Sequence, residues 1–465
     1  MGDSKRVMLI GLDSAPPSLA FDRFLSEMPN LSELMDGAKY GPLRSCHPPI
    51  TVPAWAVMAT SKTPGELGMY GFRHRKSGDY RGFYLVTSRE LKEPAVWDII
   101  AKEGKKSLLI AFPPSYPPRK ISGWMISDFH TPSTAKSYTY PPWLRLEIER
   151  VIGGPFTHDV EFRVEERGPL VERLFEMTKQ HLRVAEHLAK VKAWDLFWYV
   201  EIGLDRLHHA FWKFFDPEHP RHVSNSEFEG VAESYYKLLD EGIGRFVKAA
   251  GNAFVLVVSD HGAKAMTGAF AVNEWLADNG YLYFEDRPKE QTELKKAKIN
   301  WERTIAWGWG GYYARIFVNL KGREPMGRVS KEDFEATLGQ LADDLKSVRD
   351  PEGREMRTMT YRPRDLYPVV RGDAPDMIVY FDDLNWRSAG TVGHGTWYLP
   401  ENDTGPDDAV HDWDGIYLVH DPEGRLKQGE AKASIYDVAP TVLALMGFDA
   451  KELAKMRGKA LVEVS

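Results

Sequence analysis

Ala253-Phe254-Val255-Leu256-Val257-Val258-Ser259-Asp260-His261-Gly262 is the stretch that decides the fold. Its first seven residues are almost wholly apolar, the pattern of a parallel strand covered by helices on both faces. Asp260 and His261 then stand just past the carboxyl end of that strand, where open α/β sheets hold their ligands. Working outward, Val7-Met8-Leu9-Ile10-Gly11-Leu12 is a second apolar run, and it ends in Asp13. A third runs from Asp195 to Leu204 and ends in Asp205. His209 follows Asp205 by four residues, so the two side chains face one point if a helix begins there. Three strand ends with carboxylates, two of them with a histidine close by, predict one shared metal-binding locus.

The remaining segments alternate between strand-like and helix-like patterns, which predicts an α/β sheet with helices on both sides. Further strand candidates are Ser107 to Phe112, Met377 to Phe381 and Gly415 to Val419. Leu170 to Lys192 carries apolar residues at three- and four-residue spacing, and a last helix is expected from Tyr436 to Gly447. Residues 113–145 are rich in Pro, Tyr and Ser and read as an ordered loop excursion over the sheet. Residues 283–365 open with a charged segment, then carry Trp301, Trp307, Trp309, Tyr312 and Tyr313. They are expected to form an inserted cap subdomain with a helix around Lys331–Ser347. That leaves 1–282 and 366–465 for the catalytic core.

Composition excludes several function classes. The chain has 465 residues, with 60 basic against 67 acidic side chains and a formal charge of -7. The charges are interspersed, which argues against a dedicated nucleic-acid binder. One cysteine, Cys46, rules out an intrachain disulfide and a cysteine-based zinc site. The amino terminus runs almost directly into the first strand without a signal-peptide pattern. No segment has the roughly 18–20 apolar residues of a membrane span. A cytoplasmic protein is the expectation.

Pro48-Pro49-Ile50-Thr51-Val52-Pro53-Ala54-Trp55 adds the reactive group. Two prolines hold an extended approach, Thr51 falls at a helix N-cap position, and Pro53 is tolerated in the first turn. Capping alone accounts for Thr51 in isolation. Beside Asp13 and Asp260-His261 its hydroxyl reads instead as a nucleophile that needs a base or metal to ionise. A helix N-terminus also supplies amides and a positive dipole end suited to phosphate.

The order strand-Asp, Pro-x-x-Thr-x-Pro-Ala-Trp, Asp-x-x-x-His, Ser-Asp-His-Gly and a late His resembles the alkaline phosphatase superfamily. Within it, the match is to the type I phosphodiesterase/nucleotide pyrophosphatase branch and a related phosphohydrolase/phosphomutase group. It runs from Asp13 to Asp437-Val438-Ala439-Pro440-Thr441. The resemblance implies a three-layer α/β sandwich with a mostly parallel central sheet and a smaller cap. It also implies two divalent metal sites. One is held by Asp13, Thr51, Asp260 and His261. The other is held by Asp205, His209 and a late histidine.

His411, just before an Asp-Gly and an apolar strand, is favoured over His394 for that last place. All-N/O donors suit Zn²⁺ first, with Mn²⁺ or Fe²⁺ as alternatives. The implied activity is a two-metal phosphohydrolase that cleaves a phosphodiester or phosphoanhydride through phospho-Thr51. A phosphomutase, phosphomonoesterase or phosphonate hydrolase would use the same site, and a non-catalytic metal-stabilised binding protein is the alternative from another class. The expected partner is a small phosphorylated substrate.

Arg73, Arg75, Trp307 and His394 are candidate substrate contacts, although the insert aromatics read first as a small core of their own. His208 is expected to pack rather than ligate. Nucleotide pyrophosphatases carry a phosphate-binding Asn where the spacing here gives Phe72, so the family's nucleotide recognition does not carry over at that position.

Overall fold

The computed structural model describes residues 5–133, 135 and 137–462. The three apolar runs lie side by side at the centre of a ten-stranded sheet. Val7–Leu12 pairs in parallel with Phe254–Val258 on one side and with Leu196–Glu201 on the other. Ser107–Ile110 and Gly123–Ile126 extend the parallel block beyond Leu196–Glu201. On the far side, Asp414–His420 runs antiparallel to Phe254–Val258, and Ala38–Arg44 runs antiparallel to it in turn.

Successive side chains of a strand point to opposite faces, and both faces here are dry. Met8, Ile10 and Leu12 enter one core with the helices Arg167–Val191, Gly203–Phe215 and Val231–Ala250. Val7 and Leu9 enter the other with Thr51–Thr60 and Val438–Leu445. The result is the three-layer α/β sandwich with a mostly parallel central sheet.

Local details differ from the sequence reading, each for a physical reason. The third run stops being a strand at Glu201, and Asp205 lies in the first turn of Gly203–Phe215. Within 113–145, Gly123–Ile126 is a true strand, whose short apolar core is masked by the prolines on either side. Met377–Tyr380 is a strand too, but of a separate four-stranded antiparallel sheet with Ala306–Trp309, Ala314–Val318 and Met359–Tyr361. This satellite unit, with the helix Phe334–Lys346, has its own apolar core running from Phe270 to Val392. It therefore reaches beyond 283–365 on both sides, because its sheet and core need partners from the flanking chain.

Gly11 shows how tightly the sheet carries the helix above it. A methyl group there would lie 2.5 Å from Cη2 of Trp55 and 3.0 Å from the carbonyl oxygen of Tyr199. Gly11→Ala is therefore expected to destabilise the protein by about 1–3 kcal/mol through overpacking. Urea denaturation reads this directly, and a change below about 0.5 kcal/mol would show that the Trp55 ring can move aside.

Candidate metal centre

The carboxyl ends of the central strands deliver Asp13, Asp260 and His261 to one buried point, and their ligand atoms lie within 4.8 Å of one another. Asp205, His209 and His411 make a second such group. Asp205 and His209 meet because they are one turn apart on the helix, with Oδ1 and Nε2 at 3.2 Å. His411 arrives on a short antiparallel ladder in which Ala409–Asp412 pairs with Gly262–Ala265 and His411 lies opposite Ala263. That register stacks His411 on His261, ring centroids 3.9 Å apart, so the two groups adjoin.

Each of these candidate ligands is anchored through one of its polar atoms. Asp13 Oδ2 accepts from the Trp55 indole (2.7 Å), Asp260 Oδ1 from the Ser14 amide (3.3 Å), and Asp205 Oδ2 from Arg206 (2.8 Å). The histidines are tied through Nδ1: His209 to Asp407 (2.8 Å), His261 to the Gly262 carbonyl (2.9 Å) and His411 to the Pro49 carbonyl (2.9 Å). A partner on Nδ1 fixes the ring and presents Nε2, the usual arrangement of a metal-binding imidazole. Among the described residues, Asp13 Oδ1, Asp260 Oδ2, Asp205 Oδ1 and His209 Nε2 are buried atoms without a hydrogen-bond partner. Orphaned donors and acceptors of this kind are costly unless something absent from the protein chain satisfies them. Four of them converging on two points fit two divalent cations.

Electrostatics agrees. Burial, then repulsion between neighbouring carboxylates, pushes the pKa values of Asp13 and Asp260 well above the ordinary range. Positive charge at this point is what would keep both ionised. Burial would raise Asp205 likewise, but His209 and Arg206 hold it well below the usual value. Against burial, His209 is itself carried well above its ordinary value by Asp407 and Asp205, so a cation there would replace its proton. Burial lowers His261 to about 4 and takes His411 well down, so both imidazoles are neutral and able to ligate.

Thr51 opens the buried helix Thr51–Thr60, but as its first residue; Ile50 holds the cap position and no side chain caps the helix. The hydroxyl is thus not consumed by capping, and Oγ1 lies 3.4 Å from His261 Nε2. The first intrahelical bond runs from the Ala54 amide to the Ile50 carbonyl (3.0 Å). Pro53 has no N–H, which leaves the Thr51 and Val52 amides ahead of the ladder, beside the hydroxyl.

The other sequence candidates lie elsewhere. His394 bonds Thr391 Oγ1 (2.8 Å) and, through its amide, Glu274 (2.8 Å), away from both ligand groups. Trp307 is fully buried in the satellite core, edge-on to Tyr80 and Trp301. Arg75 makes a bidentate pair with buried Glu324, both bonds 2.9 Å. Arg73 is exposed on its strand, with its guanidinium over Phe83. His208 packs behind Asp13, between Ser14 Oγ (2.9 Å) and the Tyr236 hydroxyl (3.1 Å).

Sequence reasoning missed three features. Tyr312 lies over the His411 ring at 3.9 Å instead of in the satellite core. Asp128 follows the strand Gly123–Ile126 and holds His130 Nδ1 at 2.8 Å, leaving His130 Nε2 buried and, among the described residues, unpartnered next to Phe72. The signal was an Asp just past an apolar run, as at Asp13, but proline-rich surroundings hid it. Asp407 had no local signal at all. It binds His209 while accepting from Arg163 and Arg387. Asp407→Asn is expected to weaken binding of one metal ion about 10–100-fold while the other is retained, as read by metal titration. Unchanged affinity for both ions would make Asp407 a packing residue only.

A profile of the type I phosphodiesterase/nucleotide pyrophosphatase family matches residues 7–407. Among curated proteins the sequence finds no significant match. Solved structures of the same fold include phosphonoacetate hydrolase from Sinorhizobium meliloti 1021 in complex with phosphonoformate. It is 12% identical, with a TM-score of 0.64 and coverage of 96% of this chain and 97% of that one. Human ectonucleotide pyrophosphatase/phosphodiesterase 5 is 13% identical, with a TM-score of 0.57 over 99% and 100% of the two chains. An inactive variant of the murine protein in complex with AMP is 12% identical, with a TM-score of 0.56 over 96% of each. With residues 7–407 of the 465 matched, this protein belongs to the type I phosphodiesterase/nucleotide pyrophosphatase family of phosphoric ester hydrolases.

Proposed function

We propose that this protein is a two-metal phosphohydrolase that cleaves a phosphodiester or phosphoanhydride through a covalent phospho-threonine at Thr51. The observation that carries the reading is the convergence of two groups of unsatisfied ligand atoms beside a helix-end hydroxyl that caps nothing. Asp13, Thr51, Asp260 and His261 would hold one ion, and Asp205, His209 and His411 the other. Zn²⁺ fits this thiolate-free donor set, as do Mn²⁺ and Fe²⁺. Bound divalent ions supply positive charge that lowers the pKa of a hydroxyl and offsets that of a phosphoryl group.

The chain's own residues do the rest. Thr51 Oγ1 is presented at a fixed point by a helix buried along its whole length, so little orientational freedom remains to be lost in attack. Oγ1 displaces the leaving oxygen from phosphorus, and water then cleaves the phospho-threonine to regenerate the hydroxyl. The Thr51 and Val52 amides, with the positive helix end, face the charge of the transferring group. Phe72 offers no hydrogen bond where nucleotide pyrophosphatases place an Asn, so a substrate other than a simple nucleotide is part of the proposal.

The test is metal analysis combined with a panel of bis-p-nitrophenyl phosphate, p-nitrophenyl phosphate, a nucleotide and phosphonoacetate, each with Zn²⁺ or Mn²⁺. Two ions per chain and turnover of the diester above the monoester are expected. A chain that binds no metal, or that leaves the whole panel intact, overturns the reading. Preference for phosphonoacetate would redirect it to C–P bond cleavage.

A further inference from the structure

We propose that Tyr312 couples the seating of the satellite unit to retention of the metal ion at Asp205, His209 and His411. The inference rests on the metal reading above and deepens it. Tyr312 lies in the hairpin connection between Ala306–Trp309 and Ala314–Val318. Gly311 sits at φ +146°, and a methyl group at Gly310 would lie 2.4 Å from backbone atoms of both Ser388 and Gly390. The turn is therefore pressed against Trp386–Ala389 as only glycines allow. The next residue is sent out of the satellite sheet and into the metal centre.

There the Tyr312 ring lies nearly parallel to His411, centroids 3.9 Å apart and planes at 22°, and to His209 at 5.0 Å and 23°. The other face of His411 is taken by His261 at 3.9 Å and 18°. His411 is thus the middle of a three-ring stack whose outer member belongs to the satellite unit. Its Nδ1 is fixed by one hydrogen bond, to Pro49, but rotation of the ring plane about that bond is limited by the stack. Arg163 holds Tyr312 in turn by donating to its hydroxyl (2.8 Å), and the Arg387 guanidinium lies 4.9 Å over its ring. Both arginines also bind Asp407, the carboxylate that holds His209 Nδ1. The satellite hairpin thus braces His411 directly, through the Tyr312 ring, and His209 indirectly, through the arginines that hold both Tyr312 and Asp407.

Tyr312 is a positioning residue, since the contacts that place it in the centre are to ligands and to arginines. Linkage makes the effect mutual: whatever the seated hairpin contributes to metal affinity, the bound metal returns to the stability of the seated hairpin.

The experiment compares the wild-type holoprotein with Tyr312→Ala and Tyr312→Phe. Metal stoichiometry is measured at buffered free Zn²⁺, and amide exchange across 306–318 is followed with and without chelator. Tyr312→Ala is expected to bind the second ion about 10–100-fold more weakly than wild type while keeping the first. Tyr312→Phe, which retains the stack, should bind both nearly as wild type does. Chelation should speed exchange in the wild-type hairpin but have little further effect in Tyr312→Ala. Undiminished binding of both ions by Tyr312→Ala, or wild-type exchange indifferent to metal, overturns the proposal. The wild-type exchange measurement decides alone if Tyr312→Ala does not fold. A wild-type protein that binds no metal would instead overturn the functional reading on which this rests.

Discussion

Thr51→Ala is expected to lower kcat for phosphodiester cleavage by on the order of 10⁴–10⁶, the scale on which enzymes respond to removal of a nucleophile. The substitution removes one hydroxyl and one methyl group from the start of a helix that is buried on every side. Because Thr51 does not cap that helix, no capping energy is lost and the fold should be nearly unchanged. Asp13, Asp260 and His261 remain, each oriented by a partner other than Thr51. Metal content should therefore stay close to two ions per chain while turnover disappears. Thr51→Ser, which restores a hydroxyl at the same place, should recover part of the rate. If Thr51→Ala kept a tenth of wild-type activity with its metals bound, Thr51 would not be the nucleophile.

The second large effect separates the two late histidines. His411→Ala is expected to reduce kcat/KM by roughly 1,000-fold or more, because ligand loss removes transition-state stabilisation that no neighbour replaces. The same change empties the space between the stacked rings of His261 and Tyr312 and releases the Pro49 carbonyl two residues before Thr51. One metal ion should be lost with it. His394→Ala removes a side chain bonded to Thr391, and should alter kcat/KM less than about twofold, the scale of a residue outside the reacting region. The opposite ranking of the two variants would reassign the last ligand.

The central sheet was legible because a strand buried on both faces must be spelled almost wholly in apolar residues, and Phe254–Val258 and Val7–Leu12 are. The candidate ligands of those strand ends were legible for the same reason: Asp13, Asp260 and His261 interrupt the apolar code at the carboxyl ends of central strands. Asp205 and His209 showed through helical spacing, a local property. What stayed hidden depends on contacts between distant segments. Tyr312 resembles any aromatic of a small core until the Gly310-Gly311 turn presses on Trp386–Ala389. Asp407 is one acidic residue among many until His209, Arg163 and Arg387 surround it. The satellite boundary moved outward because Met377–Tyr380 reads as a buried strand wherever it goes, and periodicity does not say which sheet receives it.

The ladder that sets His411 opposite Ala263 also orders events in time. Asp13 leaves the ribosome about 400 residues ahead of His411. At about 5–20 residues per second, tens of seconds separate them. Once His261 has emerged, and until His411 follows, the nascent chain owns Thr51 and all the residues of one group, but not of the other. No fragment ending before residue 411 carries the whole constellation, so the finished centre is a property of late synthesis.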